Sequence, residues 1–260
     1  MIENSGFVKK FPMFRVSDGG KEMDKLDKVL DCKTIFEQDI KRVRKFIHDF
    51  ALAPTLEIIT MTDDPASQVS VRTKMRDCER LHIQVKLTEL KKEWEQDVVI
   101  EAIESSIAHG IIVQLPLPEH INTHEVLQCI PWYKDVDGMT TMNRGGLFEG
   151  DAWSYAATAS GIYDAFKKEY NWNIPLEGKH CVIINRSNLV GKPLSLMMMA
   201  EGATVTVCNS HTVDLKKYTQ DADILVVAVG KPKFITADMV KPDSIVIDVG
   251  INRDENGKLC

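Results

Sequence analysis

Three short stretches in the first half of the sequence carry side chains able to move a proton or hold a polar ligand. Residues 64–74 read DPASQVSVRTK and end on Lys74. Residues 110–118 read GIIVQLPLP and place Gln114 at the end of an apolar run. Residues 131–138 read PWYKDVDG and offer Asp135 and Asp137 beside Gly138. A lysine on a helix ordinarily carries a solvated charge; withdrawn from water, it becomes a proton-transfer group. An amide at the end of an apolar strand has to find hydrogen-bond partners. Two aspartates next to a glycine are equally ordinary turn chemistry. Each stretch taken singly therefore admits a purely structural explanation. The seven histidines show no ligand spacing such as H-E-x-x-H, so no metal site is expected.

The second half contains a different kind of candidate. Residues 182–193 read VIINRSNLVGKP, a strand-like run, a polar turn bearing Arg186, and a Gly-Lys-Pro that suits a helix start. A helix N-terminus offers free N–H groups and a partial positive charge, both favourable to an anion. In a doubly wound sheet the loop after the first strand is where a pyrophosphate sits, yet the glycine fingerprint of such loops is missing here. The next strand-like run, TVTVC, leads into Asn209-Ser210-His211-Thr212, with no carboxylate before Asp214 to take a ribose hydroxyl. Arg186 and Ser210 could together hold a 2′-phosphate through charge-assisted bonds. The alternative is an arginine that closes a surface loop.

Alternating elements must position these stretches. Residues 33–53 carry apolar side chains at helical spacing, notably Ile35, Phe36, Ile40, Val43, Ile47 and Phe50. A strand over 55–61, a helix from Pro65 to about Arg80, a strand over 83–87, a helix over 88–107 and a strand over 110–114 follow. A long amphipathic segment near 155–169 separates this series from a second one: strand 180–184, helix 193–201, and strands 203–208, 223–229 and 244–248. Strands alternating with helices imply parallel pairing in an α/β layer structure. The expected organisation is an extension over 1–29, a first α/β lobe over 30–152, and a second, dinucleotide-binding lobe over 153–260.

Bulk properties narrow the function. A chain of 260 residues, 44% hydrophobic and 27% charged, can fill two modest cores. A formal net charge of -6 argues against a nucleic-acid partner. Apolar runs such as DILVVAVG are too short to cross a bilayer, so no membrane association is expected. The six cysteines (Cys32, Cys78, Cys129, Cys181, Cys208 and Cys260) form no C-x-x-C pair and read as reduced thiols of a cytoplasmic protein. Residues 1–29 lack the apolar core of a secretory signal and read as a poorly ordered arm.

Taken together and in this order, DPAS…K, GIIVQLPLP, KDVDG, RSNLVGKP and DVGIN resemble the bifunctional methylenetetrahydrofolate dehydrogenase/cyclohydrolase family. The resemblance runs from about Leu30 to Cys260. It implies two α/β lobes with a cleft between them, folate lying on the first and a nicotinamide cofactor on a Rossmann-like second. It implies oxidation of 5,10-methylenetetrahydrofolate with NADP as cofactor, NAD remaining possible, and hydrolysis of the methenyl product to 10-formyltetrahydrofolate. A homodimer paired through the cofactor lobe is the expected assembly. Matched position by position, Lys74 is the catalytic lysine, Gln114 its hydrogen-bond partner and Asp137 the carboxylate for the amino-pyrimidine edge of the pterin. Ser67, Ser70, Leu115 and Pro116 fall on the substrate side. Asn185, Arg186, Ser187, Val190, Gly191, Ser210 and Ile251 fall on the cofactor side.

Several positions depart from the family pattern. Ser70 stands where the family has a tyrosine that stacks on the folate, and serine cannot stack. Thr62 and Asn185 replace glycines, Asn209 replaces a histidine, and Ala156-Ala157-Thr158-Ala159 replaces Pro-Cys-Thr-Pro. The family continues with a glycine-rich P-G-G-V-G-P segment and a last helix, whereas these residues end at Cys260, so the second lobe is short relative to that pattern. A dehydrogenase-only enzyme or a non-catalytic relative is the alternative these departures raise.

Overall fold

Strands buried on both faces are written as unbroken apolar runs, and edge strands as alternating ones. The computed structural model describes residues 13–16, 29–30, 32–166 and 174–250. In chain order the elements are β1 (Met13–Val16), β2 (Val29–Leu30), α1 (Cys32–Asp49), β3 (Thr55–Thr60), α2 (Pro65–Leu81), β4 (Gln84–Glu89), α3 (Gln96–Glu104), β5 (Gly110–Val113), α4 (Thr123–Gln128) and α5 (Thr141–Glu149). They continue as α6 (Ala157–Asp164), β6 (His180–Ile184), α7 (Gly191–Ala200), β7 (Thr204–Cys208), α8 (Leu215–Thr219), β8 (Ile224–Val227) and β9 (Ile245–Asp248).

The chain divides into two compact units, one of Phe36–Tyr155 and one of Met1–Ile35 with Ala156–Cys260. The first holds a three-stranded parallel sheet in the order β4-β3-β5. Its central strand β3 and the edge strand β5 are buried, GIIV completely so, while the other edge strand, β4, alternates. Ile59, Met61, Val99, Ile103, Ile111 and Val113 pack into one cluster below the loops that follow β5. The second unit holds a six-stranded sheet in the order β2-β1-β9-β8-β6-β7. Strands β7, β6, β8 and β9 are parallel, and HCVII and ILVV fill its centre. Two neighbours on opposite sides of β6, the first strand of the parallel series, make this edge the switch point of a doubly wound sheet.

Three sequence expectations shift. The helix over 88–107 shortens to α3, because Leu90 still donates to Thr60 O and residues 91–95 carry charge with no apolar face to bury. Residues 1–29 contain more than an arm, since Met13–Val16 adds to β9 as an antiparallel strand. Ile40 in α1 is buried but Phe50, one residue beyond the helix, is exposed, so the apolar stripe is shorter than its spacing suggests. The four cysteines whose side chains are described, Cys78, Cys129, Cys181 and Cys208, are unpaired. Burial pushes the Cys181 thiol up to about 12, which removes it as a thiolate nucleophile.

One buried charge ties the first sheet together. Glu57, in β3, is 1% exposed and accepts from Thr88 Oγ1 and Ser106 Oγ, each at 2.6 Å, and from Lys86 Nζ at 2.8 Å. Burial works to raise its pKa, but the bonds from Lys86, Ser106 and Thr88 outweigh it and hold the carboxyl below the ordinary 4.5. Stability from this group is therefore complete above that value and falls away as the pH drops through the lowered one. Glu57→Gln should cost about 1–3 kcal/mol at neutral pH. In urea unfolding that difference should shrink as the pH falls below 4.5; a pH-independent difference would contradict the assignment.

Candidate active site

The first unit brings its chemistry to the carboxyl end of the sheet, where open parallel sheets place ligands. Asp64 caps α2 by accepting Ser67 N–H at 2.8 Å, and Pro65 occupies the first turn. Positions 67, 71, 74 and 78 then share one face by helical spacing. Ser67, Val71 and Cys78 are the buried residues of that face, which turns Lys74 inward with them. Ser70 lies one turn before Lys74 and is half-buried.

Gln114 is the first residue beyond β5, and its N–H continues the ladder to Ile59 O at 2.8 Å. Its side chain is buried, with Nε2 donating to Leu115 O at 2.8 Å. That bond fixes the amide so that Oε1 faces the lysine, and Lys74 Nζ donates to it at 2.9 Å. An amide oxygen accepts from either an amine or an ammonium, so this partner serves the lysine in both protonation states. Ser67 Oγ lies 2.9 Å from Asp64 Oδ2 and 3.3 Å from Leu115 O, so the same carbonyl gathers α2 and Gln114. Leu115-Pro116 is a cis peptide, and Pro116 is exposed. The structure thus joins Lys74, Gln114, Ser67 and Leu115 into one constellation.

Asp137 reaches the same neighbourhood through a clamped loop. Ile111 N–H donates to Lys134 O at 2.8 Å, which pins the loop to β5. Asp135 is 1% exposed and accepts from Met139 N–H at 3.0 Å, Thr140 N–H at 2.8 Å and Asn143 Nδ2 at 2.9 Å. Asn143 also donates to Trp132 O at 2.9 Å. Between these fixed points lies Asp137, partly buried, followed by Gly138 at φ 62. Burial pushes the Asp137 carboxyl above its usual range, Lys74 pulls it down, and Asp135 pushes it up again. Asn143 is a bracing residue that pattern reading missed, and Asp135 was a candidate whose bracing role it did not separate from Asp137. A D-x-D-G stretch signals a turn but not which carboxylate braces it, and Asn143 carries no signal at all.

In the second unit, Ile184 and Cys208 are register partners at the ends of β6 and β7. Arg186 and Ser210 each stand two residues further on, at the same edge of the sheet. Both are exposed, and the Arg186 side chain has no partner among the described residues. The free N–H groups expected at the start of α7 are not there. Gly191 N–H donates to Asn185 Oδ1 at 3.1 Å and Lys192 N–H to Ser187 O at 3.1 Å, while Pro193 has none. Ser187 Oγ accepts Val190 N–H at 3.1 Å, so Ser187 and Val190 shape the loop as well as lining it. Ile251 lies outside the described residues.

Two outcomes check this geometry. Lys74→Met removes the charge that lowers the Asp137 pKa, so the carboxyl should protonate at higher pH, read from its carbon-13 shift; an unchanged midpoint would separate the two groups. A Cβ on Gly191 would fall 1.9 Å from Asn185 O, a backbone atom. Gly191→Ala should therefore destabilise the fold by about 1–3 kcal/mol in thermal or urea unfolding, and a neutral result would contradict the close approach.

Comparison with known proteins follows the same division. Residues 30–137 match the profile described as tetrahydrofolate dehydrogenase/cyclohydrolase, catalytic domain, and residues 156–260 match the NAD(P)-binding domain of the same family. The bifunctional protein FolD of Agathobacter rectalis is 46% identical over 209 residues, covering 79% of this chain and 74% of its own. That of Streptococcus pneumoniae is 44% identical over 224 residues, 85% of this chain and 78% of its own. The crystal structure of the bifunctional FolD enzyme from Campylobacter jejuni is 38% identical with a TM-score of 0.80, over 87% of this chain and 81% of that one. The Trypanosoma brucei dehydrogenase-cyclohydrolase, solved with NADP cofactor and an inhibitor, is 28% identical with a TM-score of 0.78, over 88% and 81%. This chain belongs to the tetrahydrofolate dehydrogenase/cyclohydrolase family.

Proposed function

We propose that the protein oxidises 5,10-methylenetetrahydrofolate with NADP+ and hydrolyses the resulting 5,10-methenyl cation to 10-formyltetrahydrofolate. The observation that carries the reading is the 2.9 Å bond from Lys74 to Gln114 beside Asp137. Hydrolysis of an amidinium-like carbon needs an acceptor for the proton of the attacking water, and a lysine amine is a group that can take it up. Gln114 holds Nζ in place in either protonation state. Asp137 receives the N–H groups of the amino-pyrimidine edge, where paired bonds fix orientation as well as affinity. Ser67 and Leu115 act through the wall they build at the start of α2.

Arg186 and Ser210 fit the 2′-phosphate of NADP: an exposed guanidinium without a partner among the described residues and a hydroxyl stand at the same sheet edge. Bound NADP+ supplies the hydride acceptor for the methylene carbon. NAD+ lacks that phosphate and is the weaker cofactor on this reading. A homodimer and a cytoplasmic setting complete the proposal, and they rest on the family resemblance alone.

Mixing the protein with methylenetetrahydrofolate and either NADP+ or NAD+, and following methenyl absorbance, tests it. A signal with NADP+ that decays faster than in buffer is expected; no signal with either cofactor would refute the dehydrogenase. Arg186→Ala should weaken NADP+ about tenfold or more, the loss of one charge-assisted contact, with little change for NAD+. Ser70→Tyr restores an aromatic face beside the substrate and should raise both activities. An unchanged Ser70→Tyr enzyme would count against stacking at that position.

A further inference from the structure

The loop after β7 is a closed turn whose chemistry is carried by its two corners. Thr212 N–H donates to Asn209 O at 3.0 Å, so residues 209–212 form a β-turn with Ser210 and His211 at the central positions. The Asn209 side chain tightens it, Oδ1 accepting His211 N–H at 2.9 Å, the local bond that favours asparagine at the start of a turn. Thr212 Oγ1 accepts Asn209 N–H at 2.9 Å and closes the other side. The N–H groups of Asn209, His211 and Thr212 are thus consumed within the turn, and what it offers a ligand is side chains. Ser210 and His211 are both exposed, and neither side chain has a partner among the described residues. Strand register sets this turn beside Arg186, because Ile184 and Cys208 pair at the ends of β6 and β7. The other charged groups on the elements next to the turn are few. Lys192 in α7 donates to Asn188 Oδ1 at 2.9 Å, and Lys216 in α8 to Asp238 Oδ2 at 2.6 Å. Asp214, the residue before α8, and Lys217 within it are the remaining ones.

We propose that His211 is a third, pH-dependent ligand of the cofactor's 2′-phosphate, so that preference for NADP+ over NAD+ strengthens as the pH falls from mildly alkaline to mildly acidic. This deepens the proposed NADP+ reading and rests on it. An imidazole changes charge in this range, unlike the guanidinium and the hydroxyl beside it. As a cation it donates a charge-assisted bond to a phosphate oxygen; as a neutral ring it offers an ordinary one. The phosphate favours the cation, so binding takes up a proton and tightens with acidity. NAD+ has no phosphate at this position, so the change appears in full in the ratio of the two affinities. A phosphate monoester takes up a proton of its own near pH 6, which sets the lower end of the effect.

Calorimetric titration of the full chain with NADP+ and with NAD+, at about pH 8 and about pH 6.5, tests the proposal through the ratio of the two dissociation constants. In wild type the NAD+/NADP+ ratio should rise about threefold or more at the lower pH, through tighter NADP+. In His211→Gln the ratio should stay level or fall, since only the phosphate then titrates. His211→Lys carries its charge at both pH values and should give the high ratio at both. A flat wild-type ratio, a rise that persists in His211→Gln, or a His211→Lys ratio as low as that of His211→Gln would overturn the inference alone and leave Arg186 and Ser210 as the phosphate ligands. A wild-type protein that binds neither nucleotide, or both equally well at both pH values, would instead overturn the 2′-phosphate reading, and this inference with it.

Discussion

Lys74 has a long, flexible side chain, and the chemistry proposed for it requires that Nζ stay within hydrogen-bond reach of Gln114 Oε1. The two residues are forty positions apart and belong to different elements, so the contact exists only if α2 and β5 hold a fixed relation. Several features supply that relation. The register of β3 with β5 sets the height of Gln114, and its N–H to Ile59 O extends the ladder by one residue. The Asp64 cap sets where α2 begins, and thereby which residues face inward. Leu115 O, shared by Gln114 Nε2 and Ser67 Oγ, joins the two settings at one atom. Removing any of these would leave the lysine present but undirected.

The same logic of placement by strand ends governs both units. Gln114 follows β5, Arg186 follows β6 and Ser210 follows β7. Apolar strands buried on both faces leave no room for polar chemistry along their length, so it collects where they stop. The units differ in what holds the ligand-facing loops. In the first, a buried carboxylate, Asp135, gathers three donors and leaves Asp137 to face Lys74. In the second, a neutral amide, Asn185, performs the gathering beside an arginine.

Much of this could be read in the sequence, for identifiable reasons. The strands at 55–60, 180–184 and 224–227 are apolar runs with turn residues at their ends, and α2 announces itself by Asp-Pro followed by helical spacing. Lys74 and Gln114 were recognisable as a pair only through the family resemblance of the segments that carry them. Other features depend on contacts remote in sequence. The late start of α3 depends on Thr60 O claiming the N–H of Leu90. The antiparallel seat of β1 on β9 joins residues more than two hundred positions apart. The occupied N–H groups of α7 follow from an asparagine whose side chain could as well have faced the ligand. Asn143 acts entirely through the loop it braces, and nothing in its neighbours marks it.

The central claim is that Lys74 takes up the proton in hydrolysis and that Gln114 holds Nζ in place for it. The most direct measurement is the pH profile of methenyl hydrolysis in wild type and in Gln114→Glu. A carboxylate where the amide oxygen stands, 2.9 Å from Nζ, favours the ammonium. The active limb of the profile should then move to higher pH by about one unit or more, with the plateau rate recoverable there. A profile of unchanged midpoint, lowered at every pH alike, would contradict the account.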